Sequence, residues 1–282
     1  RGGGIVDIEL LDSTKNMANY YQLHVRFETA DAMGANFINS CLEQLAKTLQ
    51  NEATIYSHFS ETEKQIEVVM SILSNYVPGS RVKAWVSCPI SEFGDDGDIP
   101  AKKFVQAVEI AHHNAYRAVT HNKGIMNGID ALAIATGNDF RAVEAGIHAY
   151  AAKDGNYKGL SKARIEKDVL WFELEIPLAV GTVGGLTKLH PMVQWSHKLL
   201  QNPNAKELMQ IMAVSGLAQN FAALRSLVTT GIQKGHMKMH LLNILNQMGT
   251  TQPEKEAMVK HFTTNVVSFN AVEQALAAWR KN

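Results

Sequence analysis

The chain has 282 residues, 46% of them hydrophobic and 19% charged, and Lys plus Arg and Asp plus Glu both count 27. So much apolar material with so little charge excludes a disordered chain, and the even, unblocked charge excludes the footprint of a nucleic-acid or anionic-membrane binder. Small molecules or other proteins are the expected partners. The two cysteines, Cys41 and Cys88, form no C-x-x-C pair, which suits buried thiols in a reducing, cytoplasmic setting. No apolar run approaches the roughly 18 to 20 residues of a membrane helix, and "RGGGIVD" lacks signal-peptide architecture. Arg1 stands directly before three glycines, so part of a longer polypeptide is expected.

In chain order, "IVDIELL" and "YQLHVRFE" read as strands, the second with Leu23, Val25 and Phe27 on one face. Asp31 to Gln50 follows as a helix, with Ile38, Cys41, Leu42, Leu45 and Leu49 at helical spacing and Asp31 as its cap. "IEVVMSIL" and "RVKAWVSC" read as two further strands, and the order strand, strand, helix, strand, strand predicts a small α+β sandwich. After the turn-rich "SEFGDDGDIP" the pattern becomes helical over Lys102–Val119 and Asp139–Ala152, interrupted by a strand at "VLWFELEIP". From Ala205 onward it is almost wholly helical, with Pro253 in a first turn.

Several stretches carry chemistry. "THNKGIMNG" sets Lys123 among small and apolar residues, and Asp139 has similar neighbours, so the two are expected to pair where water is scarce. Such a pair serves structure or catalysis. Arg117, Thr120 and Asn127 would gather a guanidinium, a hydroxyl and an amide around one ammonium, which suits a carboxylate-bearing substrate whose carbonyl develops negative charge. The bare first turn of "DAMGANFINS" admits a phosphate or a closely packed neighbour. Asp7 could meet a ribose hydroxyl, although no G-x-G-x-x-G is present. "GTVGGLTKLHP" reads as a tight turn. In "GHMKMH", His236 and His240 share a helical face, yet the glutamate of H-E-x-x-H is missing. Gly235 instead suggests a hinge that delivers an imidazole to a departing thiolate.

Together "GGGIVDIE", "DAMGAN", "ILSN", "YRAVTHNKGIMNGIDALAIATGNDFRAVEAGIHAYA", "GTVGGLTKLHP", "GLAQN" and "GIQKGHM" resemble the bacterial class II form of hydroxymethylglutaryl-CoA reductase, over nearly the whole chain. The resemblance implies reduction of hydroxymethylglutaryl-CoA to mevalonate and coenzyme A by two hydride transfers from a nicotinamide cofactor. It implies an α+β fold with a ferredoxin-like cofactor domain over 1–79, a mainly helical substrate domain over 80–230 and a helical C-terminal flap over 231–282. A homodimer with active sites between subunits is also implied.

By the same resemblance Lys123 steadies the oxyanion, Asp139 is its charge partner and His236 protonates the thiolate. Arg117, Thr120, Asn127, Gln219 and Asn220 fall at substrate positions. Asp7, Asp31, Met33, Gly34, Asn36 and Asn75 fall at cofactor positions, Asp7 favouring NADH over NADPH, and no metal is implied. The family's catalytic glutamate has no counterpart here, and Phe140 stands where tryptophan is common, as aromatic packing. The alternative reading is a non-catalytic dinucleotide-binding or assembly module; a hydrolase with His236 and His240 on zinc is a third.

Overall fold

Alternation at the start of the chain builds an antiparallel pair, β1 (Gly4–Asp12) and β2 (Tyr21–Glu28), in which Asp7 stands opposite Arg26 and Ile8 opposite Val25. The computed structural model describes residues 2–93, 98–229 and 231–281, the side chains of 232–239 excepted. Helix α1 (Ala35–Ile55) begins later than the pattern predicted, because Gly34, at φ 79°, is its N-cap. Asp31 is therefore not the cap. The predicted strand "IEVVMSIL" forms no ladder; side chains of α1 hold it instead, Asn39 accepting from the Leu73 N–H and Gln50 donating to the Ile66 carbonyl. The sheet of β1 and β2 therefore stays two-stranded.

The predicted five-element sandwich is also corrected. β3 (Arg81–Pro89) leaves the first hairpin and pairs with β5 (Val169–Pro177), which in turn pairs with β4 (Ser161–Glu166), in the order β3-β5-β4. Leu170, Phe172, Leu174 and Ile176 of β5 are all buried on one face, and β5 is central because it is paired along both edges. β4, "SKARIE", escaped the sequence reading because three of its six residues are charged.

The single helix predicted over Lys102–Val119 is two, α2 (Asp98–His113) and α3 (Ala115–Ala135). They part at Asn114, whose side chain accepts from the Arg117 N–H at 2.9 Å and so starts α3. α4 (Phe140–Ala151), α5 (Pro191–Leu199) and α6 (Ala205–Val228) follow. Phe104 of α2, Ile125 and Ile129 of α3, and Leu208 and Met212 of α6 close over the three-stranded sheet as one core. Each such side chain contributes roughly 1.5–3 kcal/mol by leaving water.

By length and composition α6 could cross a membrane, contrary to the reading that no segment approaches that size. It is packed on α3 and β3, however, and carries Lys206, Glu207, Asn220 and Arg225. A separate apolar cluster joins α7 (Ile232–Gln247), α8 (Gln252–His261) and α9 (Phe269–Arg280) through Leu245, Met258 and Leu276. Pro253 lies in the first turn of α8 as predicted. Arg280 of α9 donates to Glu254 at 2.6 Å; that bond, with help from Thr251, holds the carboxyl down to about 2.

Candidate functional site

Helix α3 positions the site. Arg117, Thr120, Lys123 and Asn127 recur at steps of three and four, so they form one stripe along the helix. Thr120, Lys123 and Asn127 are exposed and Arg117 is half-buried. The opposite side, with Ala118, Ile125, Met126 and Ile129, is buried in the core. α3 has apolar residues almost all round, so apolar burial alone defines its rotation poorly. Polar anchors set it.

His121 Nε2 lies 2.6 Å from Ser161 Oγ, Ser161 Oγ donates to Asn220 Oδ1 at 2.9 Å, and Asn220 Nδ2 donates to the His121 carbonyl at 3.3 Å. Asn122 accepts from the Leu160 N–H at 3.0 Å and donates to the Lys158 carbonyl at 2.9 Å. Four buried polar side chains thus tie α3 to β4 and α6, and turn the Lys123 stripe outward. Since the Ser161 proton goes to Asn220, His121 donates through Nε2, leaving Nδ1 as a buried acceptor without a partner. The sequence reading missed His121 and Ser161; the signal was His and Asn on the apolar side of a helix.

Burial, with Arg117 and His112 nearby, pushes the His121 imidazole down to about 3. It is neutral in the fold, whereas unfolding frees it to take a proton below its ordinary value of 6.5. Its contribution is complete above that value and is lost as pH falls towards 3. His121→Gln is expected to lower stability at neutral pH but to flatten the decline on acidification. Thermal unfolding midpoints between about pH 4 and 8 check this; an unchanged slope contradicts it.

Lys123 and Asp139 do not form the dry pair expected of them. Lys123 is exposed. Asp139 is the N-cap of α4, accepting from the Arg141 and Ala142 N–H groups at 3.0 and 3.3 Å, and its 36%-exposed side chain pairs with Arg141 at 2.9 Å. Those Arg141 bonds come first among the causes that hold its carboxyl low. The reason is geometric. Lys123 stands twelve residues before the end of α3, and Asp139 lies beyond that end, so about 18 Å of helical rise separates them.

Arg117 remains a cation seeking an anion: burial alone pushes its guanidinium down, with no acidic neighbour among the described residues acting on it. Gln219 is exposed on α6, whereas Asn220 is 2% exposed with its amide engaged in the core network, so Asn220 has a structural position rather than the expected substrate-facing one.

On the cofactor side, Met33 and Asn75, far apart in sequence, line one cleft with Ile38, Val143, Pro177 and Ala179. The loop "GTVGG" packs behind Met33, and a Cβ on Gly181 would lie 2.4 Å from the Met33 nitrogen. Only glycine permits that approach. Asp31 is committed to the scaffold: its Oδ1 accepts from the Ala205 N–H at 2.9 Å and its carbonyl from the Thr182 N–H at 2.9 Å. Asp31 is nonetheless exposed, with only one of its carboxylate oxygens engaged by this bond. Asn36 is exposed in the first turn of α1, beside Gly34. Asp7 faces solvent in an ion pair with Arg26, which also reaches Glu9 at 3.0 Å. The cleft is narrow and mostly apolar, with the Asn75 amide on its wall. The His236 side chain lies outside the described residues, and His240 is exposed on α7.

The α+β chain thus presents two features from which a site could be built, a cation-bearing stripe on the polar-anchored helix α3 and a narrow, mostly apolar cleft between α1, α4 and the end of β5. The family model described as hydroxymethylglutaryl-coenzyme A reductase matches residues 1–241. This chain belongs to that family. It is 40% identical over 260 residues to the 3-hydroxy-3-methylglutaryl-coenzyme A reductase of Archaeoglobus fulgidus, covering 92% of this chain and 56% of the relative. A probable reductase of Borreliella burgdorferi is 38% identical, with 89% and 56% covered. The chain thus spans about half the length of these curated relatives. Among solved structures, the class II reductase of Streptococcus pneumoniae bound to NADPH in open conformations superposes with a TM-score of 0.72 at 39% identity, covering 99% of this chain and 66% of that one.

Proposed function

We propose that this chain carries the substrate helix and much of the cofactor cleft of a reductase converting hydroxymethylglutaryl-CoA to mevalonate and coenzyme A. The observation that carries the reading is the stripe of Arg117, Thr120, Lys123 and Asn127, two cations and two hydrogen-bonding groups on one face, with no acid acting on Arg117 among the described residues. Arg117 takes the substrate carboxylate, Thr120 and Asn127 its polar groups, and the Lys123 ammonium steadies the carbonyl oxygen as it gains charge. A nicotinamide dinucleotide, when bound, supplies hydride. Met33 and Asn75 hold its ring, and Gly34, Asn36 and Asp7 lie on the approach to the rest of it. His236 delivers the proton to the thiolate, and Gln219 lies near the substrate.

The separation along α3 bears on how the site is completed. If Lys123 has a carboxylate partner at position 139, that Asp139 comes from a second copy, which makes the site one shared between the subunits of a homodimer. The proposed units are 1–79 for the cofactor, 80–230 for the substrate and 231–282 for the flap. Cys41 and Cys88 are separate thiols, which suits a cytoplasmic setting.

The NADH preference expected from Asp7 loses its basis in charge, because Arg26 offsets that carboxylate and adds a cation attractive to a 2′-phosphate. The proposed cofactor is therefore a nicotinamide dinucleotide, with NADPH accepted. Arg26→Ala is expected to shift the ratio of NADPH to NADH affinity towards NADH several-fold, read by fluorescence titration; an unmoved ratio removes Arg26 from cofactor choice. The reading as a whole is tested by calorimetric binding of hydroxymethylglutaryl-CoA to wild type and Arg117→Ala, alongside oxidation of both nicotinamides. Neither binding nor oxidation by wild type sinks it and leaves the dinucleotide-binding module.

A further inference from the structure

Asp130 lies on α3 seven residues after Lys123, two turns along the same side. Its Oδ1 is buried and no N–H or hydroxyl donor reaches it. The group facing this carboxyl is another carboxyl, that of Glu144 on α4. Glu144 Oε2 lies 2.8 Å from His148 Nε2, and His148 Nδ1 lies 2.7 Å from the Tyr157 hydroxyl, with the two rings stacked at 5.9 Å. Asp130, Glu144, His148 and Tyr157 thus run as one polar chain from α3 through α4 to the segment before β4.

Two ionised carboxylates set face to face repel, and a buried oxygen without a donor is costly. A single proton between them removes both problems. We propose that Asp130 and Glu144 hold one shared proton that clasps α3 to α4, with His148 and Tyr157 orienting Glu144 from behind. Where the function proposed above holds, these are positioning residues: they set the Lys123 stripe against the helix that begins at Asp139.

The surroundings support this. Among the described residues, Glu144 is the charged group acting on Asp130, and α6 presents the uncharged Ser215 and Gly216 to this part of α3. Burial first, then the Glu144 carboxyl, push Asp130 up to about 7. The unfolded chain releases this proton near 3.8 while the folded chain keeps it to about 7. Asp130 therefore withdraws stability as pH rises between those values, and the loss is complete above the higher one.

Thermal unfolding of wild type, Asp130→Asn and Glu144→Gln between about pH 5 and 8.5 tests the clasp. The amide that Asp130→Asn introduces donates to Glu144 at every pH. This variant should therefore gain on wild type by on the order of a few degrees as pH rises to about 7.5, then level off. Glu144→Gln should move the wild-type inflection to lower pH. A difference between Asp130→Asn and wild type that is flat with pH overturns the proposal. Should Asp130→Asn fail to fold, carboxyl carbon NMR of wild type decides: one side-chain carboxyl titrating within about a unit of 7 supports the clasp, and all titrating below about 5.5 overturns it. Positioning is read separately from hydroxymethylglutaryl-CoA affinity, which should weaken with rising pH in wild type and less so in Asp130→Asn. Linkage in stability without linkage in affinity overturns the positioning role, whereas absence of any binding by wild type counts against the proposed function instead.

Discussion

Lys123→Ala is expected to lower turnover of hydroxymethylglutaryl-CoA by about 10²–10³-fold, the loss typical when one preorganised oxyanion donor is removed. Nicotinamide affinity should stay close to wild type, because Lys123 lies on α3 while the cleft residues Met33 and Ile38 lie before and within α1 and Asn75 follows them. Equal loss of both would mark a structural lysine. The spacing along α3 adds a sharper version. If Lys123 works with Asp139 of a second copy, Lys123→Ala and Asp139→Ala chains are each nearly inactive alone. Mixed and reassociated in equal amounts, they should recover about a quarter of wild-type activity, since half the dimers are mixed and each of those holds one intact site. No recovery, in a sample shown to contain mixed dimers, rules out the shared site.

The second large effect is expected at Gly128. This residue lets α3 and α6 approach until a Cβ there would lie 2.6 Å from the Ser215 carbonyl oxygen and 2.9 Å from its carbon. Backbone cannot turn aside as a flexible side chain can, so Gly128→Ala must part the helices. The hydroxyl of Ser215, which donates to the Gly128 carbonyl at 3.1 Å, would lose its partner as well. Overpacking of this kind costs about 1–3 kcal/mol, and the gain in helix propensity from Gly to Ala, at most about 1 kcal/mol, offsets only part of it. Denaturant unfolding should show a lower midpoint with an unchanged slope. Because α6 also holds Asn220, the shift should loosen the His121 network and weaken hydroxymethylglutaryl-CoA binding along with stability. A variant as stable as wild type would show that the two helices are free to slide.

How the residues arrange themselves explains which features could be read in advance. The strands β1 and β2, the helix that follows Asp139 and the first turn at Pro253 rest on signals within a few residues: alternation, helical spacing, a proline at a permitted position. Asn114 was equally local, a cap between two helical runs, and was overlooked because its neighbours continue the helical period. The fate of "IEVVMSIL" could not be read this way. Its composition suits a strand, but whether it joins a ladder is decided by where the chain runs, and here the side chains of α1 hold it instead.

By itself the sequence determined the periodic elements, the residues of the Lys123 stripe and, through long shared motifs, the family. Helical spacing places Arg117, Thr120, Lys123 and Asn127 together whatever surrounds them. Only the tertiary structure decided that Arg81 pairs opposite Pro177, that Asp31 serves α6 and that Asn220 lies in the core. It also decided that about 18 Å of helical rise separates Lys123 from Asp139, and that Asp130 meets Glu144 instead. The physical reason is the range of the forces involved. Periodicity and capping act over one or two turns of backbone, whereas partners distant in sequence are chosen by the burial of whole faces, and a carboxylate meets whatever that packing brings to it.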